Sequence, residues 1–181
     1  GEQDTAKAKR VLGATANLEF RLESSDKSNS RDTEKFQFKD DLSRTAVLER
    51  EIIATGNSVS DARAGFDENG MPQVNISLDA TGGRRMTEVT SNAVGRRMAV
   101  LFIETTTRIS VDEKTRDRKE IRGERRTIIS LATIQSVLGN QFRITGLDSA
   151  QESSELALLL RAGALAAPMY FVEERTIGPS L

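Results

Sequence analysis

Residues 98–103, Met-Ala-Val-Leu-Phe-Ile, run for six positions without a polar side chain. A run this short and this apolar predicts a central β-strand buried on both faces, so at least one sheet of the fold needs apolar cover on two sides. With 181 residues the chain is long enough to bury such a core without disulfide or metal support. A second strand is predicted over 16–22, where Ala16, Leu18, Phe20 and Leu22 alternate with Asn17, Glu19 and Arg21 in the period of a half-buried strand.

Around these two strands the pattern is mixed. Residues 4–12 carry Asp4 and Thr5 as possible caps and Ala6, Val11 and Leu12 at helical spacing, predicting a short amphipathic helix closed by Gly13. Residues 24–35 are polar and predict a mobile loop. Strands are expected over 46–53 and 59–65 and a hairpin arm over 73–78, with Asp67-Glu68-Asn69-Gly70 as its turn. Asp79 or Thr81 can cap a helix from Gly82 to about Val94, closed by Gly95. Residues 112–126 hold seven basic and five acidic side chains and read as a solvated β-ribbon or loop; 128–134 read as a further strand, with 137–140 as the turn out of it.

At the end of the chain Phe142 and Ile144 mark a strand, and Asp148 or Ser149 caps a helix. Ala150, Leu156, Leu159 and Leu160 form its buried face, Gly163 ends it, and 169–172 form another strand. That order is β-α-β, and with the opening helix and strand it predicts an α+β chain. A ferredoxin-like (split βαβ) base, 1–23 with 141–181, would carry a large inserted mixed α+β head, 24–140.

Composition removes whole classes of function. The chain has no Cys and no His, which excludes zinc sites of the usual kinds, thiol chemistry and every imidazole-dependent triad. With 26 Lys+Arg against 27 Asp+Glu, there is no bulk field for nucleic acid. The longest apolar stretch, 156–168, is shorter than the roughly 20 residues of a membrane span and carries Arg161 at its middle. The N-terminus lacks signal-peptide grammar and an initiator Met, so the chain is read as a piece of a longer protein.

Few residues suggest chemistry. Gly82-Gly83-Arg84-Arg85 at a helix start could meet phosphate, but fits no phosphate-loop spacing, and a tight turn explains the glycines better. Glu173 and Glu174 are neighbours on a strand and point to opposite faces, which suits surface charges better than an acid/base pair. Asp67, Glu68 and Asn69 lack EF-hand spacing. The remaining candidate is Met86, Val89, Ala93, Val94 and Met98, either plain core or an adaptable groove for unfolded peptide. No catalytic residue, cofactor or metal is expected, and the chain reads as a non-enzymatic binding or structural domain.

Several long stretches carry a resemblance. AKRVLGATANLEFRL at 8–22, PQVNISLDATGG at 72–83, IISLATIQSVLGNQFRITG at 128–146, LALLLRAGALAAP at 156–168 and VEERTIGPSL at 172–181 closely resemble, in order, the SecD family of bacterial protein-export subunits. The resemblance covers nearly the whole chain and thins at 24–43 and 105–126. It implies most of the family's first periplasmic domain (P1), with a membrane-proximal base and a distal head on the periplasmic face of the inner membrane. The implied function is to hold emerging unfolded polypeptide and change head/base orientation during proton-motive-force-driven export. The implied partners are SecF, SecYEG, YajC and the exported chain. Gly163, Pro168, Arg175, Gly178 and Pro179 become candidates for a hinge or membrane connection. The alternative is a periplasmic scaffold that contacts partner membrane proteins only.

Overall fold

A computed structural model describes residues 7–25, 31–165 and 168–169. The chain is α+β. Ten strands are described: β1 (Lys7–Leu22), β2 (Thr33–Phe38), β3 (Thr45–Glu49), β4 (Ala54–Thr55), β5 (Val59–Phe66), β6 (Pro72–Leu78), β7 (Arg97–Asp112), β8 (Arg118–Thr133), β9 (Gln141–Ile144) and β10 (Pro168–Met169). Helices α1 (Ala80–Thr90) and α2 (Ala150–Leu165) complete them. One sheet has the order β10-β1-β7-β8-β2-β3, with β4 also paired to β1; the other is β5-β6-β9.

Strand β7 explains the apolar run. Successive side chains of a strand point to opposite faces, and Met98 and Val100 enter one apolar cluster while Ala99 and Leu101 enter another. The larger cluster lies between the sheets. It joins Leu18, Phe20 and Leu22 of β1 to Val74, Ile76 and Leu78 of β6, Met86 of α1, Phe142 of β9 and Leu156 and Leu160 of α2. Phe20 and Phe142 meet edge-to-face with centroids 5.9 Å apart, an aromatic pair spanning the two sheets. The smaller cluster packs Phe36 and Phe38 of β2 and Leu48 of β3 against Ile128 of β8.

This second cover changes the expectation for 16–22. The strand is there, but its polar face is also buried: the Arg21 guanidinium donates to Glu19 Oε1 at 2.6 and 2.9 Å and stacks 5.4 Å from the Phe36 ring centroid. The charge is tolerated because its donors are engaged.

Other expectations need correction. The described part of 4–12 is strand, since 7–15 pair antiparallel with 105–112 of β7, with a register shift between Val11 and Gly13. A few apolar residues at helical spacing are outweighed by a full ladder of main-chain bonds to a distant strand. The loop expected over 24–35 ends earlier, because Thr33–Phe38 pairs with β3, and parallel to β8 at two positions; residues 26–30 lie outside the described residues. The strand expected over 46–53 stops at Glu49. The hairpin of β5 and β6 forms as expected, with Gly70 at φ 76 in its turn. The mixed-charge ribbon also forms, from the outer halves of β7 and β8.

The β-α-β unit does not form among the described residues. β9 joins β6 through the pairs Val74↔Ile144 and Ile76↔Phe142, while Pro168–Met169 runs antiparallel to β1, so the strands flanking α2 lie in different sheets. The ferredoxin-like arrangement is therefore not formed by the described residues, and 1–6, 166–167 and 170–181 of the expected base lie outside them. Helix α2 is capped by Ser149, whose Oγ accepts from the Glu152 N–H at 3.1 Å, while Glu152 Oε2 accepts from the Asp148 N–H at 2.7 Å. Ala150 is exposed rather than buried, and Gly163 lies inside the helix rather than ending it. A Cβ on Gly163 would stand 2.9 Å from Leu18 Cδ2, so glycine there permits the close approach of α2 to β1.

Candidate functional site

A groove of about 640 Å³ opens between the edge of the small sheet and the end of β8. Three segments build it. One wall is β9 with Thr145; the second is the run 132–138; the lip is the hairpin turn Asp67, Glu68 and Asn69. Gln73 and Met98 reach it from behind.

Each wall is held by identifiable bonds. In the lip, Asp67 Oδ1 accepts from the N–H groups of Asn69 and Met71, each at 2.8 Å. That carboxylate is thereby spent on its own turn, and among the described residues no cluster of acidic groups is arranged for a metal. The flanking Phe66 and Met71 are left exposed beside the lip.

The run 134–140 is pinned to α1. Thr90 Oγ1 donates to the Met86 carbonyl at 2.7 Å and accepts from the Leu138 N–H at 2.9 Å. Thr87 Oγ1 donates to the Leu138 carbonyl at 2.9 Å. A Cβ on Gly83 would stand 2.7 Å from Asn140 Cβ, so glycine at this position lets the helix come that close. The helix itself starts on Asp79, whose Oδ1 accepts from the Gly82 N–H at 2.7 Å. Both glycines are therefore inside the helix, not in a preceding turn, and an internal carboxylate already occupies the helix N-terminus where a phosphate was considered.

This arrangement reassigns the residues singled out as a peptide groove. Met86, Ala93 and Met98 are buried and Val89 packs against the same core. α1 ends at Thr90, four residues earlier than expected, and of the five only Val94 is exposed, at 51%. Only Met98 also lines the groove. Their helical spacing is the signature of a core-facing side, and α1 supports the groove rather than forming it. Of the hinge candidates, Gly163 is packed on β1 and Pro168 pairs with Thr15. Arg175, Gly178 and Pro179, like Glu173 and Glu174 and the strand expected over 169–172 beyond Met169, lie outside the described residues.

One feature had no signal in the sequence. Gln73 is 7% exposed; its Nε2 donates to Asn75 Oδ1 at 3.1 Å, while its buried Oε1 has no hydrogen-bond partner. Buried acceptors are normally satisfied, and this one stands in the wall of the groove. In the sequence it is an ordinary polar residue of an alternating strand. No helix among the described residues is long and apolar enough to cross a membrane.

Known proteins resemble this chain over its length. The "Protein translocase subunit SecD" of Pseudomonas aeruginosa is 59% identical across the whole chain, and that of Escherichia coli K12 is 43% identical across the same extent. The chain spans about 30% of the length of these curated relatives. A solved structure described as "Structure and function of a membrane component SecDF that enhances protein export" covers 90% of this chain with 70% of its own, at 25% identity and TM-score 0.52. Thermus SecDF, described as "a translocon-associated membrane protein", covers 83% of this chain with 20% of its own, at 26% identity and TM-score 0.51. Residues 33–167, which include every wall of the groove, match the family described as "SecDF, P1 head subdomain". By that match and by identity along its full extent, the chain belongs to the SecD family and carries its P1 head.

Proposed function

We propose that this chain assists protein export as a non-enzymatic part of a SecD-type translocase subunit, and that its head holds unfolded polypeptide in the groove beside β9. The observation that supports this is the groove itself. It offers exposed Val137 over the buried apolar Met98 and Ile134, next to polar Gln141 and Arg143, and a short strand that has no paired neighbour on one side among the described residues. Such a surface suits a flexible chain of mixed sequence better than a compact small molecule. The relatives are named as protein translocase subunits, which agrees with a role in transport.

In this reading the domain stands on the periplasmic face of the inner membrane. It works with SecF, SecYEG and YajC, and the proton-motive force acts through parts of the subunit other than this chain. The division into a base (1–23, 141–181) and a head (24–140) enters in a restricted form, with β9 counted with the head, since the P1 head match runs over 33–167. Leu18, Phe20 and Phe142 share one core with Val74 and Met86, so we place any reorientation outside that core, at Arg175, Gly178 and Pro179.

The test is site-specific photocrosslinking in the full-length subunit during export of a stalled precursor. A crosslinker at Val137, in the groove, is expected to capture the precursor, and one at the exposed Ile121 of the ribbon is not. Capture of partner subunits alone at Val137 would replace the holding function by the scaffold reading.

A further inference from the structure

The phase of the β6–β9 ladder decides what β9 offers to the groove. The Leu78 N–H donates to the Asn140 carbonyl at 2.7 Å, and the register continues with Ile76↔Phe142 and Val74↔Ile144. Bonded pairs recur at every second residue of an antiparallel ladder. Phe142 and Ile144 therefore spend their main-chain groups on β6, and Gln141 and Arg143 turn theirs away from it. Among the described residues no strand lies on that side, for β9 ends the order β5-β6-β9. Both outward-facing residues line the groove.

A row of alternating donors and acceptors is complementary to one thing above all, another extended main chain. The side-chain wall agrees. Exposed Val137 lines the space together with exposed, polar Gln141 and Arg143, which fits a strand whose side chains alternate in character.

We infer that an extended polypeptide segment adds to the free edge of β9 as a fourth strand of the small sheet. The inference rests on the polypeptide-holding reading and specifies how the chain is held. Main-chain pairing reads no particular sequence, so a site of this kind accepts many different chains. The four residues of β9 span about 13 Å, which limits the grip to a few bonds and keeps it reversible.

The experiment is amide hydrogen exchange, residue by residue, on the 181-residue chain with and without a 12-residue unstructured peptide of alternating Val and Ser carrying a Lys at each end. Bound peptide is expected to slow the Gln141 and Arg143 amides at least tenfold while Phe142 and Ile144, already bonded to β6, change little. Arg143→Pro removes an N–H that β6 does not use, and is expected to weaken the peptide at least tenfold with the fold intact. Binding without slowed exchange at 141 and 143 overturns strand addition and leaves the holding function standing; no binding at all overturns both. Protection at 141 and 143 that needs no peptide and vanishes on dilution would assign the edge to a second copy of the chain, and also overturns the proposal.

Discussion

The first seven residues of β7 and its last nine belong to one strand paired along its length with β1 and β8, yet they live in different surroundings. From 98 to 103 every side chain is buried, and Met98 to Leu101 are shared between two apolar clusters. From 104 to 112 none is buried, and the facing stretch of β8, 118–125, is exposed and charged on both signs. Pairing alone thus carries the sheet well past the core. The inner half is fixed by packing, and the outer half stands on main-chain bonds, cross-strand pairs and solvent.

The largest expected effect that separates the halves is in the core. Leu101→Ala should lower the unfolding free energy by about 2–5 kcal/mol in denaturant titration, as buried leucine truncations do. Ile121→Ala, on the ribbon, should stay within about 0.5 kcal/mol; a loss comparable to that of Leu101 would mean that the ribbon is covered by something in solution. Hydrogen exchange sharpens the contrast at intermediate scale. Amides of β7 from 98 to 103 should exchange only through global unfolding, and those from 105 to 111 through local opening at lower free energy. Equal protection along the strand would abolish the distinction.

The smallest effect sits in the turn between β2 and β3. The Ser43 hydroxyl donates to Asp41 at 2.6 Å and its N–H at 3.1 Å, and these bonds hold the Asp41 carboxyl below the ordinary aspartate value. A group depressed in the folded state contributes stability that is present above its unfolded value and is lost as pH falls through its folded value. Asp41→Asn should therefore be slightly less stable than the parent at neutral pH, with the gap closing in acid. A gap that stays constant with pH would assign the loss to turn geometry instead of charge.

What the sequence made legible follows the same division. The inner run 98–103, the alternation at 16–22, the hairpin turn at 67–70 and the capped helix after Asp79 are local patterns, and each became the expected element. Failures fell where a distant partner decides. Residues 7–12 look helical until 105–112 are placed beside them, and Phe142 and Ile144 look like any strand until β6 claims them. The groove was hidden for the same reason: Gln73 and Arg143 are 70 positions apart and acquire meaning only as neighbours on adjoining strands. The methionine-bearing face of α1 was visible, but spacing alone does not tell a core-facing side from a binding one, and burial made it core.

The pairing of β1 with β7 also has a consequence for the order of assembly. The hairpins β5–β6 and β7–β8 join neighbours in sequence, whereas β1 must find β7 across the span from Leu22 to Met98. Closing so long a loop is slow compared with zipping a hairpin. By that reasoning Met-Ala-Val-Leu-Phe-Ile is expected to pair with β8 before β1 arrives, with its other edge still open. That is the segment most prone to join the wrong chain, so the charged ribbon that continues the same two strands serves, at that stage, to keep neighbouring copies apart.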